Sequence, residues 1–352
     1  MDAIGHPAQA DDGDAGQDVI IATRLTTHLC CPLCRGGLER LPEAYECLAC
    51  RRAYPVVCGI PDFRLTPTPF FDLAADLATA RLLVEEEPLL DFEALVNLYY
   101  RLRPELSDEL HEAHMAHVAA ERDQAQAALD LVEGHRPFAA GGLVLDVGCG
   151  LGQYLATAAD RVEHVVGVDL SLAFLVLARK RLGGRGLLVA AEAERLPFQD
   201  GTYAAVIAAD VLEHLADQRR SLAEMGRVLS PGGALFLSTP NRYSLTPEPH
   251  VALWGVGFLP RTWAGRYVRR RRGVSYDRVR LLSSYALRHL LRRTFPGSAR
   301  LLLPGLSARQ LEHFSPFKRR LARAYLMLRR LPLVRNFFYL FGPFFHVVAV
   351  KR

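Results

Sequence analysis

The sequence predicts an α/β protein: an open, largely parallel sheet with helices on both faces, preceded by a small cysteine-rich module and a helical linker. Three observations carry this. From Leu143 onward, short apolar runs alternate with helical stretches across tight turns, the pattern of repeated βαβ units. The first run, LVLDV, opens directly into a loop with glycines at 148, 150 and 152. Six of the seven cysteines fall between residues 30 and 58, and four of them form two CxxC pairs.

At 352 residues the chain has room for two or three domains and a substantial core. Its composition, 50% hydrophobic and 23% charged, is that of an ordinary globular protein and excludes a fibrous or fully disordered chain. No window reaches the roughly 18 uncharged apolar residues of a membrane-spanning helix. The nearest stretch, Phe337 to Val350, is interrupted by Gly342 and Pro343. Residues 1–22 are acidic and rich in Gly and Ala, without the basic start and apolar run of a secretory signal. They are expected to form a disordered tail on a cytoplasmic protein.

The net charge of +5 hides an asymmetry. Residues 241–352 carry 23 Lys/Arg against three acids, Glu248, Asp277 and Glu312. A basic third of this kind suits phosphates, an anionic membrane surface or an acidic substrate, or it neutralises the acidic remainder of the same body.

Residues 23–65 are expected to form a metal-bound ribbon. Cys31 and Cys34, then twelve residues, then Cys47 and Cys50 give two knuckles, each presenting two sulfurs to one tetrahedral ion. Gly36 and Gly37 suit the tight backbone of a knuckle. Disulfides are the competing reading, disfavoured in a reducing cytosol. A redox CxxC is the other, weakened by there being two. With all four positions filled by protein, the ion, Zn2+, is structural. Cys30 and Cys58 are read as non-ligands.

From residue 66 to 135 the pattern is helical, with Pro88 and Pro104 as its punctuation. His111, His114 and His117 recur every three residues here. That spacing drifts around a helix, so a surface or interface role is favoured over a metal site.

Residues 136–352 hold the main sheet. Strands are predicted at 143–147, 164–168, 187–190, 204–208 and 233–238, with helices at 152–160, 172–182 and 217–229. Two late strands, near 299–303 and 345–350, are expected to close the sheet. The loop Asp146-Val-Gly148-Cys-Gly150-Leu-Gly152 departs from the GxGxxG spacing of a dinucleotide turn and places an acid beside the phosphate position. A carboxylate there repels a pyrophosphate and suits a cofactor with an ammonium group, which points to S-adenosylmethionine (SAM). Asp169 ends the second strand where it can bond both ribose hydroxyls, with Leu170 beside it; helix capping is its alternative role. Glu192 and Ala193 follow the third strand, where an acid can accept from the adenine amino group. Leu196 and Phe198 are expected to give the ring apolar cover.

The stretch from Leu143 to about Pro240 (LDVGCGLG, VVGVDLS, AEAERLPFQDGTYAAVIAADVLEHL, LAEMGRVLSPGGALFLSTPN) resembles class I SAM-dependent methyltransferases of the UbiE/UbiG kind. The resemblance implies a Rossmann-like sheet and places Asp210, Glu213 and His214 beside the methyl donor. The family usually has Asp where Glu192 stands. The cysteine module, with Tyr54-Pro55-Val56 and Gly59-Ile60-Pro61 after it, resembles the zinc ribbon fused to, or partnering, many methyltransferases.

His214 is read as the general base for the acceptor, with packing against the cofactor as its alternative. Residues 241–343 are read as an acceptor cover with basic insertions. Within it His250 is a candidate to position an acceptor hydroxyl, and Tyr243, Trp254 and Phe258 to line an apolar pocket. Core packing of an ordered loop would look the same. The expected function is methyl transfer from SAM to a small-molecule or lipid-linked acceptor, at oxygen. The alternative is an RNA methyltransferase, since a zinc ribbon ahead of a SAM fold also resembles the guanine-N1 methyltransferases of ribosomal RNA. The arginine-rich helical stretch near 317–330 is expected to contact an anionic membrane, RNA or an acidic face of the same protein. The oligomeric state is left open.

Overall fold

The cysteine-rich module folds as a four-stranded antiparallel sheet: β1 (Leu38–Leu41), β2 (Ala44–Cys47), β3 (Ala53–Val57) and β4 (Ile60–Pro61). The computed structural model describes residues 25–65, 71–103, 108–135, 137, 142–306, 311–312 and 315–352. The expected N-terminal tail and the side chains of His111, His114 and His117 lie outside the described residues.

Each CxxC knuckle turns through a left-handed residue directly after its second cysteine. These are Arg35 at φ 61° and Arg51 at φ 58°. The expected glycine serves a different need, because a Cβ on Gly36 would lie 2.8 Å from Ala49 Cβ and 3.1 Å from Cys47 Sγ. It is small to let the knuckles approach, not to free φ.

Three helices follow: α1 (Leu73–Glu86), α2 (Phe92–Arg101) and α3 (Asp108–His135). Asp72 and Asp91 accept from free N–H groups at the starts of α1 and α2, and α1 stops two residues before Pro88. The segment read as a linker is not a spacer. Asp76 on α1 is buried and accepts from Ser171 Oγ at 2.6 Å and Leu172 N at 2.8 Å, capping a helix of the main sheet from outside. Arg179 pairs with Glu87 in the same interface.

The main body runs β5 (Leu143–Val147), α4 (Gln153–Ala159), β6 (His164–Asp169), α5 (Leu172–Leu182), β7 (Leu187–Ala190), β8 (Tyr203–Ala209), α6 (Gln218–Val228) and β9 (Leu229–Pro240). After these come α7 (Arg261–Arg272), α8 (Ser284–Thr294), β10 (Arg300–Leu302), α9 (Pro316–Leu328), α10 (Pro332–Phe341) and β11 (Phe344–Val350). The sheet order is β10-β11-β9-β8-β5-β6-β7. Strands β5 to β9 are parallel, and β11 is antiparallel between β9 and β10.

Alternate residues of each central strand enter different cores, so the strands read as continuous apolar runs. Leu145, Val147, Val168, Val206 and Leu237 face one side, where α6, α8 and the cysteine module pack. Val144, Val165, Ile207 and Phe236 face the other, against α1 to α5. Burial at roughly 1.5–3 kcal/mol for each such side chain makes both layers integral to stability.

The cysteine module is fused to the sheet edge. Phe63 N donates to Ala190 O at 2.8 Å, and Cys30 N donates to Pro197 O at 2.9 Å. Leu29, Tyr45, Tyr54 and Phe63 join the core beneath β7. The module thus covers an edge strand that would otherwise stay unpaired.

Candidate functional site

In an open α/β sheet, ligands bind beyond the carboxyl ends of the strands where the strand order reverses. Here that point lies between β5 and β8, and a cleft of about 740 Å³ opens there. Gly148, Gly150, Asp169, Leu170, Glu192, Ala193, Asp210 and His214 all line it.

The glycines have separate jobs. A Cβ on Gly148 would lie 2.3 Å from Val211 Cγ2, so β5 and the turn after β8 meet only across a glycine. Gly150 has φ 49° and no protein atom within 4 Å of the Cβ it lacks, so its missing side chain leaves room for a ligand. Gly152 sits outside the lining and lets α4 approach α5, its Cβ position being 2.9 Å from Ala178 Cβ. Asp146 is buried under the loop and is also not part of the lining.

Asp169 lies across the glycine loop. One carboxylate oxygen accepts from Gly150 N at 2.9 Å and the other from Ser171 N at 2.9 Å. Burial raises its pKa against the lowering effect of these bonds. Glu192 is held by Leu65 N at 2.9 Å, a residue at the end of the cysteine module. That module therefore positions a wall of the cleft.

Beyond Asp146 and Gly152, two further expectations for the lining are corrected. Leu196 and Phe198 are buried in the core, Phe198 edge-on to Tyr203, and do not reach the cleft. Apolar cover comes from Phe71, Val168, Leu170 and Phe174. Tyr243 and Phe258 pack against each other with tilted rings 5.4 Å apart and Trp254 is 63% exposed; none of the three lines the cleft.

The acceptor side is polar. Asp210 has φ 52°, strained for a residue with a Cβ, and its carboxylate accepts from Ser238 Oγ at 2.7 Å. His214 ends the short 3-10 turn Leu212–His214, and its Nε2 lies 3.1 Å from Nε2 of His250. His250 Nδ1 meets Glu248 Oε1 at 2.5 Å, and Glu248 accepts from the backbone N–H groups of His250 and Val251. Burial opposes charge on His250, but Glu248 outweighs it and the pKa rises. Burial and the neighbouring His250 lower that of His214. Burial, then Asp210, pushes Glu213 up to about 7. Glu248 was missed by sequence reasoning; the signal was an acid two residues before a histidine.

Cys31, Cys34, Cys47 and Cys50 bring their sulfurs within 4.8 Å of one another, with Cys34 and Cys47 at 3.4 Å and Cys31 and Cys50 at 3.7 Å. Zinc–sulfur bonds near 2.3 Å put tetrahedral sulfurs about 3.8 Å apart, so the four thiols fit that ion. Tyr54 Oη lies 3.0 Å from Cys31 Sγ, where a hydroxyl supports a thiolate. Cys30 and Cys58 stand outside the cluster.

A sheet of this order, with a glycine loop after β5 and an acid at the end of β6, is the Rossmann-like fold of class I SAM-dependent methyltransferases. Residues 145–237 match the methyltransferase domain family. Over 114 residues the chain is 37% identical to a demethylmenaquinone methyltransferase of Clavibacter sepedonicus, covering 32% of this chain and 45% of that protein. Over 136 residues it is 34% identical to a ubiquinone biosynthesis O-methyltransferase of Maricaulis maris, covering 37% and 53%. A SAM-dependent methyltransferase from Thermotoga maritima, described as a possible histamine N-methyltransferase, superposes with a TM-score of 0.44 at 18% identity, covering 74% of this chain and 98% of that one. The chain spans about half, or less, of the curated relatives it matches.

Proposed function

We propose that this protein transfers a methyl group from SAM to a hydroxyl oxygen of a small-molecule or lipid-linked acceptor. The observation that carries this is one cleft with two chemically distinct ends. Gly150, Asp169 and Glu192 lie at or just after the ends of β5, β6 and β7 on one side, and Asp210 and His214 follow β8 on the other. Transfer from a sulfonium needs alignment and exclusion of water more than strong base catalysis. In that role Asp169 holds the ribose, Glu192 meets the adenine, and the His214–His250 pair orients the acceptor hydroxyl. The four thiolates hold a structural zinc ion that keeps Leu65 against Glu192.

The surface favours an acceptor delivered from an anionic membrane. Helix α10 buries none of its residues, and Phe317, Leu321, Met327, Leu333 and Phe337 on α9 and α10 are exposed among Lys318, Arg320, Arg323 and Arg335. Apolar side chains ringed by cations suit the interface of an acidic bilayer. Among the described residues no helix is long and apolar enough to cross a membrane.

Arginines of this third bond backbone carbonyls. Arg242 reaches Gly257 O, Arg272 reaches Val251 O, and Arg329 reaches Pro304 O, bonds that do not neutralise their charge. The exposed run Arg269 to Arg272 gives an RNA acceptor its own support.

The test is release of S-adenosylhomocysteine in the presence of hydroquinones, catechols, lipid-linked polyols and structured RNA, with and without phosphatidylglycerol vesicles. Turnover on a hydroxylated small molecule, increased by the vesicles, supports the proposal. Turnover confined to RNA, falling steeply with salt, replaces it with the alternative.

A further inference from the structure

Glu213, His214 and His250 form a cluster of which the proposed methyl transfer uses only the two histidines, to orient the acceptor. Glu213 and His214 lie on the turn after β8, and His250 enters from the insertion after β9. Glu213 Oε1 and the two Nε2 atoms all lie within 4.8 Å of one another. His250 Nε2 is 3.8 Å from Glu213 Oε1 and 3.1 Å from His214 Nε2.

Two further observations point to a ligand at their centre. Glu213 is fully buried, and while Oε2 accepts from Thr239 Oγ1 at 2.9 Å, Oε1 accepts no hydrogen bond. An orphaned carboxylate oxygen in the interior is costly unless something positive faces it. The far nitrogen of His250 is held by Glu248, itself fixed by two backbone N–H groups. A carboxylate behind an imidazole is the arrangement that orients metal-binding histidines.

We propose that Glu213, His214 and His250 bind a divalent cation beside the acceptor end of the cleft, which His214 alone of the three lines. Two imidazoles and one carboxylate leave open coordination positions and favour a transition ion such as Mn2+, Fe2+ or Co2+ over Ca2+. The open positions take an acceptor with two neighbouring oxygens, a catechol or vicinal diol. The bound hydroxyl loses its proton to water at a lowered pKa. Its oxygen lone pair then forms the bond to the methyl carbon as the carbon–sulfur bond breaks. The bonding pair returns to sulfur, leaving a neutral thioether, and the cation is unchanged. This role rests on the methyltransferase reading; the binding site itself does not.

The experiment is titration of the full chain with Mn2+, followed by the loss of the free-ion electron paramagnetic resonance signal, with SAM binding measured by calorimetry on the same samples. Mn2+ prefers oxygen and nitrogen, so the thiolate cluster does not compete. One Mn2+ per chain is expected. Glu213→Gln and His250→Gln should each weaken it more than tenfold while leaving SAM affinity within a few-fold of the parent. Glu248→Gln should weaken it by about 10- to 100-fold as the support for His250 is lost. A parent that binds SAM but no Mn2+ overturns the inference alone, with the histidines left as a hydrogen-bonded pair. Mn2+ binding unchanged by both ligand substitutions overturns it too. Mn2+ binding that the variants lose, in a chain that never binds SAM, leaves the site standing and removes the methyltransferase reading.

Discussion

On the donor side of the cleft, Gly148, Gly150, Asp169 and Glu192 all lie within one run of about 45 residues, spaced by regular βαβ units. On the acceptor side, His214 and His250 meet across 36 residues of chain, brought together by β9 and the irregular segment after it. The donor side is a backbone device, made of glycine turns and strand ends, whereas the acceptor side is a side-chain device. A backbone device fails sharply when its geometry is filled. A side-chain device loses its chemistry while the fold persists.

Gly150→Val is expected to give the largest separation between the two. A Cβ there meets no atom beyond its chain neighbours, so the main cost to the fold should be the left-handed strain of about 1–2 kcal/mol. SAM affinity should fall more than 100-fold, read by calorimetry beside a urea melt. Equal losses of folding and binding would break the distinction between ligand space and packing space at this glycine.

Stripping the thiolate cluster with a strong chelator tests whether the ribbon is an appendage. Because Tyr45, Tyr54 and Phe63 share a core with the sheet, one calorimetric transition should move down by more than about 5 °C. Two separate transitions, with the upper one unmoved, would show an independent ribbon.

Asp76→Ala probes the outer helices. Loss of a buried carboxylate that caps α5 should cost roughly 3 kcal/mol in denaturant unfolding. A value near zero would mean that α1 is dispensable to the sheet. The smallest effect is expected for Trp254→Ala, which should leave kcat/KM within about twofold because the ring lies off the cleft. A large loss there would return Trp254 to the acceptor side.

The same contrast explains what could be read in advance. Strands β5 to β9 and the glycine loop were legible because alternating apolar runs and a short turn are local patterns. The Cys31–Cys34 and Cys47–Cys50 pairs were legible for the same reason. Burial direction was not: Phe198 follows the acid at 192 in sequence, yet the chain turns its ring into the core. Trp254 reads as pocket lining by composition alone and faces outward. The docking of α1 through Asp76 depends on where distant elements fall, and no spacing encodes it, whereas Glu248 lies two residues from His250 and its spacing was the one local signal of that support. His214 and His250 were each legible as candidates. Their contact with each other, and the inward turn of Glu213 toward both, were not.

Calorimetric titration of SAM into the parent and into Asp169→Ala tests the account most directly. The parent should bind one SAM per chain, with binding abolished in the variant and its thermal melt still cooperative. Asp169→Ala binding SAM as tightly as the parent would contradict it, and the cleft between β5 and β8 would no longer be the donor site.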